Sequence, residues 1–311
     1  MLDARVQAGD VFSNLYSTRR SVSRNPMSSD IITSYENAKF SRPLFMIALY
    51  NAAIPADSNY LNKVRLCITV NLLMNSHPPY TLKNDYGKNH FDSPIFILGL
   101  PRSGTSLVAG ALKICGTWLG DTVPGGGEEN PKGFFENIYL REQINKKILG
   151  ALQVDPLGVQ TLPALDNLPP VEGLEELIKK GLEADGYDYT QPWLFKDAKL
   201  TLLWPIYLKV FPKAHWVIVR REEQPIISSC LNTSFMKRQS IDPEFWRKWI
   251  GEYLTRLDAL KLSGCTYSEI WASSIIDGDL TNLEKLAHAL DLTWDSQALK
   301  EFITPTYWHF K

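Results

Sequence analysis

No run of apolar residues in this chain is long enough to cross a bilayer. The longest, residues 44–54, falls well short of the roughly 20 that a spanning helix needs. The start, Met1-Leu2-Asp3-Ala4-Arg5, lacks the apolar stretch of a secretion signal, so a soluble, cytoplasmic protein is expected. Cysteine is scarce: Cys67, Cys115, Cys230 and Cys265 stand far apart with no CxxC pair, which excludes a disulfide framework and reads as reduced, mostly buried thiols. Net charge is also nearly absent, at −1, so there is no global basic field to hold a nucleic acid, and any anionic ligand must be met locally. There is no internal repeat and no long low-complexity tract. What remains, 311 residues at 44% hydrophobic, is enough to bury a substantial core.

The most informative stretch is 94–108, Pro-Ile-Phe-Ile-Leu-Gly-Leu-Pro-Arg-Ser-Gly-Thr-Ser-Leu-Val, where a buried strand runs through a glycine-hinged turn into a helix. Gly99, Gly104, Thr105 and Ser106 fit the phosphate-loop spacing everywhere except at the lysine after the second glycine, which here is Thr105. In a nucleotide triphosphatase that lysine reaches the β and γ phosphates, so its loss argues against ATP hydrolysis. The loop keeps its attraction for anions through backbone N–H groups, the helix N-terminus and the planar fork of Arg102.

Composition changes near residue 90. Residues 1–90 read as an accessory segment with amphipathic helices at 42–54 and 61–74, and 91–311 as the main domain. Within it, 107–115 has helical spacing and stops at Gly116, and two further apolar strands are predicted. One, 192–195, ends in Lys196-Asp197; the other, 215–219, ends in Arg220-Arg221. In an open parallel sheet ligands bind at the carboxyl ends of strands, which lines up Arg102, Lys196 and the arginine pair along one rim. Between these strands lie Gly125-Gly126-Gly127, the segment Asn130-Pro131-Lys132-Gly133-Phe134-Phe135-Glu136-Asn137, and a helix-like run over 141–152.

These motifs, in this order, resemble those of sulfotransferases. Pro101-Arg102-Ser103-Gly104-Thr105-Ser106 is similar to their 5′-phosphosulfate loop, and 217–221 followed by Ser228-Ser229-Cys230 to their 3′-phosphate site. The 130–137 segment resembles microbial members, and Phe195-Lys196-Asp197 the tyrosylprotein branch. The resemblance implies an α/β fold with a parallel central sheet flanked by helices, like that of phosphate-loop nucleotide triphosphatases, here with a helical N-terminal extension. It implies 3′-phosphoadenosine 5′-phosphosulfate (PAPS) as donor, the 3′,5′-bisphosphate PAP as product, no required metal, and a small-molecule, glycan or peptide acceptor. By the same resemblance Arg102, Ser103, Gly104, Thr105 and Ser106 hold the 5′ group, Lys196 stabilises the leaving oxygen, and Arg221 with Ser229 binds the 3′-phosphate.

Several points stay open in the sequence. Arg220 with Ser228 has the same separation as Arg221 with Ser229. Glu136, after two aromatic residues, is the expected base, with Glu128 and Glu129 as rivals, since no histidine sits in a matching motif. Lys196-Asp197 also fits an ordinary surface ion pair. Trp246 and Trp249, at helical spacing, read as core. Leu107 replaces a tryptophan common in cytosolic members, and no Arg-Lys-Gly motif stands near the C-terminus, so the adenine pocket has no assignment. A kinase-like phosphotransferase and a non-catalytic nucleotide-binding protein are the alternative functions.

Overall fold

The computed structural model describes residues 90–125 and 130–303. The accessory segment predicted over 1–90, with its two helices, lies outside them apart from His90, as do Gly126, Gly127, Glu128 and Glu129. Among the described residues one sheet of four parallel strands runs in the order β2-β1-β3-β4, made of β1 (Ile95–Gly99), β2 (Leu194–Lys196), β3 (His215–Arg220) and β4 (Thr266–Trp271). In chain order the helices are α1 (Thr105–Ile114), α2 (Lys146–Ala151), α3 (Leu174–Ala184), α4 (Leu200–Val210), α5 (Glu223–Asn232), α6 (Ser234–Lys237), α7 (Pro243–Lys261), α8 (Ala272–Ile276), α9 (Thr281–Ala289) and α10 (Ser296–Phe302).

The apolar runs of β1, β2 and β3 follow from burial on both faces, which a parallel sheet covered by helices imposes. Alternate residues divide between two cores. Phe96, Leu98, Phe195, Trp216 and Ile218 enter one, shared with α3, α4, α5 and α7, where Trp246 and Trp249 are buried as their spacing predicts. Ile95, Ile97, Leu194, Val217, Val219 and Ile270 enter the other, shared with α1, α8, α9 and α10. Lys196, in register with Ile97, and His215, in register with Ile95, are buried polar residues on that second face.

Two elements differ from the sequence reading. β4 is not apparent as an apolar run because it is a sheet edge: Tyr267 and Trp271 are exposed and Ile270 alone is fully buried. The helical run at 141–152 begins as a π-helical turn, Leu140–Asn145, before α2. Such wide turns favour functional sites because they re-aim side chains, and this one sends Asn145 to Asp197 and Arg141 to Glu136.

The strand order creates a crevice. The connection after β1 leads to β2 on one side, and the one after β3 leads to β4 on the other, so the chain diverges above the carboxyl ends of β1 and β3. This is the topological switch point where ligands bind in open α/β sheets. Gly99 makes the close approach there possible, since a Cβ on it would lie 2.6 Å from the Val219 carbonyl oxygen of the neighbouring strand.

Candidate active site

The phosphate-type loop joins β1 to α1. Arg102 and Gly104 take positive φ, 72° and 94°, which bends the chain so that the first turn of α1 opens toward the crevice. Thr201 braces the loop's base from α4, accepting from the Gly99 N–H at 3.2 Å and donating to the Gly99 carbonyl at 3.1 Å. Ser103 is fully buried, and its Oγ has no hydrogen-bond partner among the described residues.

Arg102, Gly104, Thr105, Ser106, Glu136, Lys196, Arg221 and Ser229 all line one cavity, with Leu107, Ile276 and Phe302 among its apolar walls. On the β3 side, Arg102 Nε donates to Ser229 Oγ at 2.8 Å, and Arg221 Nη1 donates to the Arg102 carbonyl at 3.0 Å. Arg102 therefore stands at the junction of the loop and the segment that follows β3. Burial, together with the charge of Arg102, pushes Arg221 down to about 10. Two guanidinium groups drawn this close make a site that favours a multiply charged anion. Ser103, expected to hold the 5′ group, does not line the cavity because it is buried beneath the loop, and neither do Arg220 and Ser228. Arg220 is captured instead by Glu269 of β4 at 2.8 Å and Asp258 of α7 at 3.1 Å.

Lys196 ends β2 on the opposite side of β1. Its Nζ donates to Glu136 Oε1 at 2.7 Å, to Ser106 Oγ at 3.2 Å and to the Phe134 carbonyl at 3.2 Å, so the lysine ties the loop helix to the 130–137 segment. Glu136 and Lys196 are 7% and 4% exposed, so theirs is a buried ion pair and not a surface one. The other Glu136 oxygen, Oε2, lies 2.9 Å from Arg141 Nε. Asp197 turns away from Lys196, into a buried network. It accepts from Asn145 Nδ2 at 2.9 Å and from Lys199 Nζ at 3.2 Å, while Tyr207 Oη donates to Asn145 Oδ1 at 2.6 Å. Burial alone would raise the Asp197 carboxyl, but Lys199, its backbone N–H, Asn145 and Lys196 hold it below its ordinary value.

Three cations of the cavity wall, Lys132, Arg141 and Lys199, had no role in the sequence reading. Lys132 bonds the Phe302 carbonyl and lies 4.5 Å above the Phe302 ring, joining the 130–137 segment to the end of α10. Burial lowers its affinity for a proton. Lys199 carried one local signal, its position three residues beyond Lys196 at a strand end. Arg141 carried none, because its approach to Glu136 depends on the π turn. Among the described residues there is no group of three or more His, Cys, Asp or Glu that could hold a metal ion.

The sequence model of the sulfotransferase family matches residues 94–263, more than half of the chain and the span that carries the loop, Glu136, Lys196, Arg221 and Ser229. The chain belongs to the sulfotransferase family. Among solved structures this sulfotransferase is similar to sulfotransferase STF9 from Mycobacterium avium, with 15% identity and a TM-score of 0.48 over 97% of this chain and 88% of that one. It is also similar to sulfotransferase STF1 from Mycobacterium tuberculosis H37Rv, with 15% identity and a TM-score of 0.37 over 96% and 86%. No curated protein matches it. No helix among its described residues is long and apolar enough to cross a membrane.

Proposed function

We propose that this sulfotransferase moves a sulfuryl group from PAPS to a hydroxyl or amine acceptor by in-line transfer, releasing PAP. The observation that carries the reading is convergence: groups following three different strands, Arg102, Lys196 and the Arg221/Ser229 pair, line one cavity at the switch point. A bisphosphate fits what these residues offer. The N–H groups opening α1, with Thr105 and Ser106 on the cavity wall, suit one phosphate, and Arg221 with Ser229 suits the other, with Arg102 between them. Leu107, Ile276 and Phe302 offer an apolar slot for adenine. When bound, the donor supplies an activated sulfuryl group on a phosphate leaving group.

Lys196 neutralises charge that develops on the leaving oxygen. Its Nζ already holds Glu136 Oε1, so engaging that oxygen draws the ammonium off the carboxylate and leaves Oε1 to take the acceptor's proton. Arg141 keeps Glu136 in place through Oε2 during the exchange. Base and electrophile are thus coupled: the carboxylate becomes able to accept a proton when its lysine is otherwise engaged.

Incubation with PAPS and a pooled set of alcohols, phenols, amines and glycans, read by mass, tests the reading. The expected result is an added sulfonate with stoichiometric PAP. Transfer of phosphate from ATP with no sulfonate transfer would replace the reading with the phosphotransferase.

A further inference from the structure

The donor reading gives Lys199 of the cavity wall no role and uses Arg141 only to hold Glu136. Lys199 lines the cavity, is 7% exposed, and its Nζ makes one hydrogen bond, to Asp197 Oδ1 at 3.2 Å. An ammonium has three hydrogens to give, so the rest have no acceptor among the described residues. Arg141 also lines the cavity. Its Nε and Nη1 each lie 2.9 Å from a carboxylate oxygen, of Glu136 and Glu142 respectively, while its Nη2 has no acceptor among the described residues.

Both groups face the same cavity. Burial raises the Glu142 carboxyl, but Lys146, Arg141 and Lys199 together hold it below its ordinary value. The carboxylates nearby do not have capacity to spare. Both Glu142 oxygens accept from Lys146, Glu136 is shared by Lys196 and Arg141, and Asp197 is taken by Asn145 and by Lys199 with its backbone N–H. Cationic donors that line a cavity with no protein acceptor among the described residues are available to hold an anion in the working complex. The need for one grows during turnover. Once Glu136 accepts a proton it no longer balances Arg141, and a negative group on the acceptor can take its place. Leu157 and Val159 supply an apolar wall to the same cavity.

We propose that the acceptor is itself anionic: a hydroxyl compound bearing a carboxylate or sulfate ester close to the accepting oxygen, held by Arg141 and Lys199, with its apolar part against Leu157 and Val159. This rests on the sulfuryl-transfer reading of the cavity. Arg141 and Lys199 act by binding the acceptor, while Arg141 Nε goes on holding Glu136 through Oε2.

Matched acceptors test it: 4-hydroxybenzoate against its methyl ester, and nitrophenyl glucuronide against nitrophenyl glucoside and its 6-sulfate. Each is assayed for sulfonation with PAPS and for binding to the PAP-loaded protein by calorimetry. The expected result is a preference of about tenfold or more in kcat/KM or in affinity for the anionic member of at least one set. The glucuronide and 6-sulfate arms separate a planar from a tetrahedral anion. Lys199→Met and Arg141→Lys each collapse the anion-to-neutral ratio toward one, and PAP affinity reports whether each variant is folded. Neutral members used or bound as well as the anionic ones would overturn this inference while leaving the donor reading intact, as would failure of every anionic member to be either sulfonated or bound. Failure of PAP to bind the parent protein would remove the donor reading and this inference together.

Discussion

At the residue scale, the site separates side chains that the sequence leaves equivalent. Arg220 and Arg221 are adjacent, but Arg220 is spent on Glu269 and Asp258, whereas Arg221 lines the cavity beside Arg102. Arg221→Ala is therefore expected to erase most of the preference for adenosine 3′,5′-bisphosphate over AMP, a change of about tenfold or more by calorimetry. Arg220→Ala should leave that preference in place, and equal effects of the two would remove Arg221 from the donor site. Glu136 behaves differently because it balances two cations in a buried setting. Glu136→Gln leaves Lys196 buried without its counter-ion, so it should lower kcat and also cost about 3 kcal/mol or more in denaturant unfolding. Loss of turnover with unchanged stability would show that the pair is not held together as described. Lys196→Met tests the other half of the pair. It should lower kcat with little change in PAP affinity, since the lysine acts mainly on charge that appears during transfer.

At the element scale, the architecture hangs on how closely β1 and β3 approach. Gly99→Ala would push a Cβ to 2.6 Å from the Val219 carbonyl oxygen, a contact with backbone that cannot rotate away. Gly116, at the end of α1, has φ 104°, but a Cβ added there would meet nothing within 4 Å, so Gly116→Ala carries conformational strain alone. Urea unfolding should find Gly116→Ala costing about 1–3 kcal/mol and Gly99→Ala costing more, with weaker PAP binding as the loop is displaced. The reverse order would mean that the strands can separate without loss. The same view explains why the run at 141–152 was legible as helix but not as a π turn. Apolar spacing reports which face is buried, whereas the wide turn is sustained by polar partners remote in sequence, Asp197 and Tyr207 for Asn145 and Glu136 for Arg141.

At the scale of the whole molecule, stability and site can be titrated apart. His215 opens β3 at the end of the sheet away from the cavity; its Nε2 shares a hydrogen bond with Ser268 Oγ at 2.9 Å, and its Nδ1 has no partner among the described residues. Burial pushes it down to about 4. The unfolded chain therefore binds the proton first on acidification: the contribution is complete above pH 6.5, and is lost progressively as pH falls through 4. The Tm should decline across that window, by an amount equivalent to at most roughly 3 kcal/mol, and His215→Gln should flatten the decline. An unaltered slope in the variant would place the acid sensitivity elsewhere.

The local part of this protein was determined by sequence alone. A run of apolar residues, two glycines at phosphate-loop spacing and helical periodicity specify β1, the loop and α1 through steric limits and burial that act over a few neighbouring residues. The strand-end cations could be named on the same basis. Only the tertiary structure decided which of them share a cavity, because that depends on β1 standing between β2 and β3, and on β4 and α7 capturing Arg220. It also brought in Arg141 and Lys199, since hydrogen bonds and ion pairs between distant segments form only once the sheet order has placed those segments side by side.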